Sequence, residues 1–393
     1  MTAQARPEPR SRSLLLTGAT GFLGMEILAR YVERTDRPIY ALVRADSEQA
    51  AQRRVESTLR SVLGRAGAGN GQVIAVPGDI QRPGLGLDPS RREMLAERVD
   101  TVIHAAASVS FSLPLSESRA INVAGTQRVL EFAALCRDRG GLERFSYIST
   151  AYVAGTHTGQ FSEDQLDVGQ DFRNSYERSK FEAEKLVRAR DAELPIQVLR
   201  PSIVVGERSS GWTASFNVLY SPLKAFARGA LPAIPARRSA PVDVVPVDYV
   251  ADAIFELSNR PAGDDGTYHL VAGPRATTVG RLIELSAQRL GRSQPIVLPP
   301  GVYSRMIHPL LVHTSKQKTR RALEQSTVFF PYFAMRVRYG DEHARSELEP
   351  AGVRVTPVEG YFDRLLDYAI TARWGRAAVG RAEAQARADS LSR

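Results

Sequence analysis

The sequence predicts an α/β chain: a doubly wound parallel sheet followed by a smaller, mostly helical C-terminal part. Three observations predict it. Short apolar runs alternate with amphipathic runs across residues 13–200. The first apolar run enters a Gly-rich turn, Thr17-Gly18-Ala19-Thr20-Gly21-Phe22-Leu23-Gly24, with a helical pattern directly behind it. The alternation then fails from Gly206 to Pro241, where Pro and Gly rise, and resumes only briefly.

In order, Leu14–Leu16 reads as the first strand and Met25–Val32 as the first helix. Ile39–Val43 is the second strand, ending at Arg44, and Ser47–Leu63 a charged amphipathic helix. Gly64–Gly71 is a loop, and Val73–Val76 the third strand, running into Gly78-Asp79-Ile80. Ser90–Arg98 is helical, and Thr101–His104 is the fourth strand, ending in Ala105-Ala106-Ala107. Ser116–Arg139 reads as one long helix and Phe145–Ile148 as the fifth strand, followed by Ser149-Thr150. Ser175–Arg190 is a helix and Gln197–Leu199 a sixth strand. Val242–Leu257 returns to strand and helix, Gly266–Val271 is a last strand, and residues 276–375 read as helical and irregular. The expected organisation is a disordered lead over 1–12, a dinucleotide-binding Rossmann domain over 13–205 plus 241–275, a substrate-binding part over 206–240 plus 276–375, and a polar tail over 376–393. The tail shows no apolar face long enough to demand burial.

Composition narrows the class. The chain has 393 residues and 43% hydrophobic content, ample for a large core. No run approaches the ~18–20 apolar residues of a membrane span, and the Arg/Pro-bearing start lacks the apolar centre of a secretory signal. The single cysteine, Cys136, excludes an internal disulfide framework, suits a reducing cytoplasm and falls in an apolar helical run, where it reads as core. No His/Cys cluster has metal-ligand spacing, and no nucleic-acid partner is expected. The net charge of +9 admits anionic partners or a solvated arginine-rich surface.

Each glycine of the turn has a physical use. One permits the tight turn, one lets a pyrophosphate approach the backbone, and one lets helix pack on strand. The helix start offers free N–H groups and a positive dipole end. Tyr176 and Lys180 stand four apart in a helical pattern, hence on one face. An ammonium beside a phenol lowers the phenol's pKa toward neutrality, which suits proton exchange. Thr150 closes the fifth strand, where open α/β sheets bind ligands, so its hydroxyl can meet a substrate carbonyl. Ser149 is the runner-up, and a turn-capping hydroxyl is the plain structural reading. Arg44 stands at the end of the second strand, where a carboxylate would take a ribose 2′-hydroxyl and an arginine takes a 2′-phosphate. The expected coenzyme is therefore NADPH, although Asp46 lies close by. Pro295–Leu323 joins apolar residues (Val297, Leu298, Val302, Met306, Ile307, Leu310, Leu311, Val312) to the basic cluster Lys316, Lys318, Arg320 and Arg321. It reads as an acyl channel beside a phosphate site, as a peripheral membrane contact, or as an amphipathic core helix. Ser209–Tyr220, with Trp212 and Phe216, reads as a pocket wall or as packing.

Taken together these motifs resemble the extended short-chain dehydrogenase/reductase superfamily. Thr17–Gly24, Gly78-Asp79-Ile80, His104–Ala107, Asn122-Val123-Ala124-Gly125-Thr126, Thr150, Tyr176/Lys180 and Arg200-Pro201 match in order over roughly residues 13–275. TGATGFLG, LVRA, AASVSF, YISTAYVAG and YERSKFEAE resemble the thioester reductase and fatty acyl-CoA reductase branch. Val353–Ala369 is looser, similar in character to the tail of the fatty acyl reductases. The resemblance implies that Gly18, Gly21 and Gly24, with Thr17, Thr20, Phe22 and Leu23, hold the pyrophosphate. It places Asp79 and Ile80 at the adenine, Ala105, Ala106 and Ala107 on the ribose side, and Pro201 in the coenzyme site. Arg54 matches a second arginine that shares the 2′-phosphate with Arg44. Thr150 holds the substrate oxygen, Tyr176 donates the proton, and Lys180 binds the nicotinamide ribose and tunes Tyr176. Asn122 is carried over as a scaffold or proton-relay position. The activity so implied is NADPH-dependent reduction of an acyl thioester, on coenzyme A or an acyl carrier protein, to an aldehyde or, by a second hydride transfer, to an alcohol. The alternatives are a sugar-nucleotide epimerase or dehydratase and a hydroxysteroid-type dehydrogenase, which use the same Thr/Tyr/Lys set. The expected location is the cytoplasm, including a membrane-peripheral one.

Overall fold

The computed structural model describes residues 12–64, 71–216, 218–229, 231–261, 263, 265–307, 309, 313 and 327–391. Its centre is a seven-stranded, all-parallel sheet. The strands are β1 (Ser13–Thr17), β2 (Ile39–Val43), β3 (Val73–Pro77), β4 (Val99–His104), β5 (Arg144–Ile148), β7 (Ile196–Pro201) and β12 (Gly266–Leu270). They lie side by side in the order β12-β7-β5-β4-β1-β2-β3. Every residue of β1, β2, β4, β5 and β7 is buried. That is why they read as continuous apolar runs and not as alternating ones.

Helices cover both faces. On one, α1 (Phe22–Arg34), α2 (Glu48–Leu63) and α8 (Val247–Ser258) bury Ile27, Leu28, Val55, Val250 and Ile254 against Leu14, Leu16 and Ile103. On the other, α3 (Pro89–Arg98), α5 (Ala124–Gly140) and α6 (Ser175–Arg188) set Leu95, Val129, Phe132 and Val187 against Leu15, Val102 and Tyr147. Cys136 is fully buried in this second layer, the core position expected for it. The strand order reverses direction between β1 and β4, and ligands of such sheets bind at that crevice.

Several sequence expectations are corrected. The single helix over 116–139 is two, α4 (Leu115–Asn122) and α5, broken at Val123. The Thr126 hydroxyl donates to the Asn122 carbonyl at 2.6 Å, and the Asn122 amide turns to the Ser108 backbone; such local bonds compete with the helical ladder. Residues 276–375 are not only helical and irregular. Ile296–Leu298 (β14) pairs in parallel with Ala233–Pro235 (β9), and Arg336–Tyr339 (β15) pairs with Thr158–Phe161 (β6). The tail is not left unpacked. A helix over Arg381–Leu391 (α12) buries Ala384, and Arg381 bridges to Glu26 and Glu207.

Around this sheet, α7 (Tyr220–Ala227), α9 (Val279–Leu290) and α11 (Phe362–Thr371) share a separate apolar cluster that includes Leu219, Leu223, Leu282, Phe362 and Leu365. Among the described residues no helix is long and apolar enough to cross a membrane, and no cluster of His, Cys, Asp or Glu is arranged to hold a metal ion.

Candidate active site

The Gly-rich turn leaves β1 and enters α1 in the conformation its residues require. Gly18 has φ +76°, and a Cβ there would lie 2.7 Å from the Ala106 nitrogen. A Cβ on Gly24 would lie 2.0 Å from the Gly18 carbonyl oxygen. Both contacts are with backbone, so only glycine lets β1, the exit of β4 and the first turn of α1 come this close. The N-cap of α1 is Gly21, with no side chain capping the helix, so its first N–H groups stay available to an anion. Thr17 braces the turn: its hydroxyl accepts from the Ala106 N–H at 3.2 Å and meets His104 Nδ1 at 2.7 Å. Burial holds His104 down to about 3, so the ring is neutral and serves as a strut. Thr20, Phe22 and Leu23 lie half-buried along the turn.

Arg44 follows β2 and is exposed. Arg54, on α2, donates to the Arg44 carbonyl. Among the described residues neither guanidinium forms an ion pair, with Asp46 or with any other acid, so both charges face solvent unneutralised. Asp79 and Ile80 follow β3. The Asp79 carboxylate accepts from the Gln81 N–H at 2.9 Å, and Ile80 packs over Gly125. Ala105, Ala106 and Ala107 follow β4 and are half-buried beside the turn.

On the other side of the crevice β5 ends at Ser149-Thr150. Ser149 donates to Glu184 at 2.5 Å inside a buried ion pair between Glu184 and Arg200, so its hydroxyl is committed to structure. Thr150 is different. It caps the short turn over Ala151–Ala154, accepting from the Tyr152 N–H at 3.2 Å, and it donates weakly to the Pro201 carbonyl at 3.4 Å. Its hydroxyl also acts on the Tyr176 phenol, opposing the effect of burial there. The capping reading and the functional one therefore both describe Thr150.

Tyr176 and Lys180 reach this place because α6 starts where it does. The Asn174 side chain accepts from the Glu177 N–H at 3.0 Å, and Glu177 accepts in return from the Arg173 N–H at 2.9 Å, an exchange like a capping box. One turn later Lys180 points into the crevice. Here the structure corrects the sequence reading, which has Lys180 lowering Tyr176. The Lys180 ammonium donates to the Tyr147 hydroxyl and to the Ile148 carbonyl, each at 2.7 Å. Burial instead pushes Tyr176 up to about 12, against the opposing hydrogen bond from Thr150. Burial also brings Lys180 down to about 7, partly offset by Glu184. Asn122 fits its scaffold reading: its amide donates to Ser179 Oγ at 2.9 Å and to the Ser108 carbonyl at 3.1 Å.

A cavity of about 660 Å³ has Tyr152, two residues past Thr150, in its wall. Leu219, Leu223, Phe226, Ile234, Leu282 and Phe333 are among its apolar lining. A relay of rings ties it to the site. Tyr176 lies 5.6 Å from Phe111, Phe111 stacks on Tyr332 at 5.4 Å, and Tyr332 meets Tyr152 edge-on at 5.5 Å. Tyr152 and Tyr332 both line the cavity. Tyr332 is fixed by its hydroxyl, which donates to Glu177 at 2.6 Å. Trp212 and Phe216 are not part of this wall. Trp212 packs on Met25 and Tyr368, and Phe216 stacks on Tyr368 at 6.0 Å. From the Pro295–Leu323 segment, Tyr303 lines the cavity; Leu310, Leu311, Val312, Lys316, Lys318, Arg320 and Arg321 lie outside the described residues. Sequence reasoning missed Tyr147, Phe111 and Tyr332, because their partners are distant in the chain and no local pattern marks them.

Comparison with known proteins agrees with this geometry. A family profile described as "Male sterility protein", an NAD-binding domain, matches residues 16–254. The carboxylic acid reductase of Mycobacterium marinum is 32% identical over 291 residues, 66% of this chain but 24% of that enzyme. Fatty acyl-CoA reductase 1 of Mus musculus is 30% identical over 290 residues, 64% of this chain and 56% of that enzyme. The chain thus spans only part of these relatives. Among solved structures, the terminal R domain of the myxalamid PKS-NRPS biosynthetic pathway superposes with a TM-score of 0.79 at 29% identity, covering 95% of this chain and 94% of that one.

Proposed function

We propose that this chain, which belongs to the male sterility protein family, reduces an acyl thioester with NADPH. The observation that carries the reading is an apolar cavity of about 660 Å³ whose wall includes Tyr152, bonded through its N–H to Thr150, and Tyr332, linked through Phe111 to Tyr176. An acyl chain seated in the cavity brings its carbonyl to those hydroxyls. The names of the relatives, a fatty acyl-CoA reductase among them, support the same substrate class. Residues 13–205 plus 241–275 hold the coenzyme in this reading, and 206–240 plus 276–375 cover the acyl group.

The glycine turn fits a dinucleotide, since Gly18 and Gly24 let its backbone close up and the first N–H groups of α1 carry no side-chain cap. When bound, the coenzyme supplies a hydride to the thioester carbon. The Thr150 and Tyr176 hydroxyls donate hydrogen bonds to the carbonyl oxygen as it gains charge. Tyr176, raised to about 12, is protonated at neutral pH and so can give its proton to that oxygen. Lys180 donates to Tyr147 and Ile148, which fixes its Nζ; in the protonated form a third donor is left for a ribose hydroxyl. The hemithioacetal then loses thiol to give the aldehyde; a second hydride transfer, where it occurs, gives the alcohol. Acyl-CoA and acyl-carrier-protein thioesters both present this chemistry. A nucleotide sugar has no apolar body to fill such a cavity; a steroid does, and there the names of the relatives favour the thioester.

The test is direct: purified protein, NADPH and a panel of acyl-CoAs of graded length, followed by loss of nicotinamide absorbance. Turnover of at least one chain length is expected. Inactivity on every thioester, with turnover of a nucleotide sugar or a sterol ketone, overturns the reading.

Two further outcomes concern the coenzyme. Arg44→Asp replaces an unpaired cation at the end of β2 with a carboxylate. NADPH affinity is expected to fall by about tenfold to a hundredfold, with NADH affected far less, since a charge-assisted hydrogen bond contributes about 1.5–3 kcal/mol. Dissociation constants for both coenzymes check this, and equal losses contradict it. Gly24→Ala forces a methyl against the Gly18 carbonyl. It is expected to raise the NADPH dissociation constant at least about tenfold, about 1.4 kcal/mol, as read by fluorescence titration.

A further inference from the structure

The cavity is apolar except for a few side chains; Lys224 brings a charged one, and several of the others are committed. Asp243 accepts from the Ala272 and Gly273 N–H groups, each at 2.8 Å. Ser286 donates to the Leu282 carbonyl at 2.6 Å, and Tyr332 is held by Glu177 and Asn174. The Tyr339 hydroxyl has no hydrogen-bond partner among the described residues, but it is closed off from solvent within the wall. Arg228 and Ser221 are exposed and mark the mouth of the cavity.

Tyr152 stands apart. It is 9% exposed and lines the cavity, and its hydroxyl makes no hydrogen bond among the described residues. Its place is fixed from both sides. Its backbone N–H donates to Thr150 Oγ1 at 3.2 Å, and its ring meets Tyr332 edge-on at 5.5 Å and Tyr339 at 6.4 Å. Its backbone is thus tied to Thr150, and its ring to Tyr332, which Phe111 links to Tyr176. Burial raises its phenol well above the usual value, so it stays protonated. A wholly apolar acyl chain packed against it strands this hydroxyl without water or partner. Such stranding costs affinity by a factor of about ten or more.

We propose that Tyr152 is a specificity-determining residue whose hydroxyl donates to an oxygen substituent on the acyl chain close to the thioester, so that a hydroxyacyl thioester is reduced in preference to a plain acyl thioester of equal length. This rests on the thioester reading above and adds to it a position on the substrate. The phenol completes its hydrogen bonding only when such an oxygen is present. Tyr152 acts on the substituent, while Thr150 and Tyr176 act on the carbonyl.

The experiment compares β-hydroxydecanoyl-CoA with decanoyl-CoA, NADPH being held saturating, in the unaltered protein and in Tyr152→Phe. The unaltered protein is expected to favour the hydroxyacyl thioester by about tenfold in kcat/KM. In Tyr152→Phe the ratio falls to about one, the loss falling on the hydroxyacyl substrate. The thermal midpoint is expected to hold, because no hydrogen bond within the protein is removed. No preference in the unaltered protein overturns the proposal. So does a preference that survives the substitution, or an equal loss on both substrates, which would place Tyr152 at the shared carbonyl. Inactivity of the unaltered protein on both thioesters is a separate result: it strikes the thioester reading itself.

Discussion

Tyr176→Phe is expected to lower kcat by about two to four orders of magnitude, the usual share of a positioned proton donor, while the NADPH dissociation constant stays within about twofold. The substitution removes one oxygen. The ring keeps its place 5.6 Å from Phe111, and α6 keeps its start, because Asn174 and Glu177 set that start without Tyr176. The Lys180 ammonium also keeps its place, since it is held by Tyr147 and Ile148 and not by Tyr176. The loss should therefore fall on the chemical step alone. Thr150 still donates to the carbonyl oxygen, but no proton follows the hydride. Steady-state kinetics and a coenzyme titration check it together. Loss of coenzyme binding in parallel with kcat would show that the phenol belongs to the coenzyme site.

The second large effect is on stability. Arg200→Met is expected to destabilise the fold by about 3–5 kcal/mol, the cost of leaving a buried charge without its partner. Arg200 and Glu184 are both fully buried and 2.5 Å apart. Arg200 also donates to the carbonyls of Glu163 and Gln165 and meets His269 at 3.0 Å. Through Ser149 and Glu184 this network ties β5, α6 and β7 together directly beneath Thr150 and Tyr176. The effect has a pH signature. Burial raises the Glu184 carboxyl, but Arg200, Arg188 and Ser149 outweigh it and hold the group below its usual 4.5. A carboxyl lowered in the folded state contributes stability above its unfolded pKa and loses it as pH falls through the folded value. The gap between the unaltered protein and Arg200→Met should be widest near neutral pH and narrow in acid. Thermal unfolding across pH reads both size and slope, and a gap that widens below pH 4.5 would contradict the assignment.

The residues that could be found from the chain alone are those whose signal is local. The Gly18–Gly24 turn is a contiguous word, and the backbone contacts at Gly18 and Gly24 show why no other residue spells it. Tyr176 and Lys180 are visible because helical spacing puts them on one face, and Thr150 because it ends a buried strand. What was illegible depends on partners far along the chain. Lys180 turns to Tyr147, 33 positions away, so the expected effect on Tyr176 does not hold. The cavity wall draws on α7, α9 and the 329–339 stretch, none of which carries a local mark of shared purpose. The strands at 158–161 and 336–339 pair with one another across a long separation, and Thr158-Gly159-Gln160 has no apolar alternation to announce a strand. The polar tail packs through Arg381, whose two acidic partners lie on α1 and on the loop after β8 (Ile203–Val205).

The central claim is that reducing equivalents pass to the thioester carbon of an acyl chain held in the cavity. It is tested most directly with deuterium-labelled NADPH, labelled in turn on each face of the nicotinamide, and decanoyl-CoA, by mass analysis of the products. One of the two labels should appear on the carbonyl carbon of the aldehyde, or on the same carbon of the alcohol, with free thiol released in step. Coenzyme oxidation with no label in the acyl product, or label carried only into a nucleotide sugar or sterol, would contradict the account.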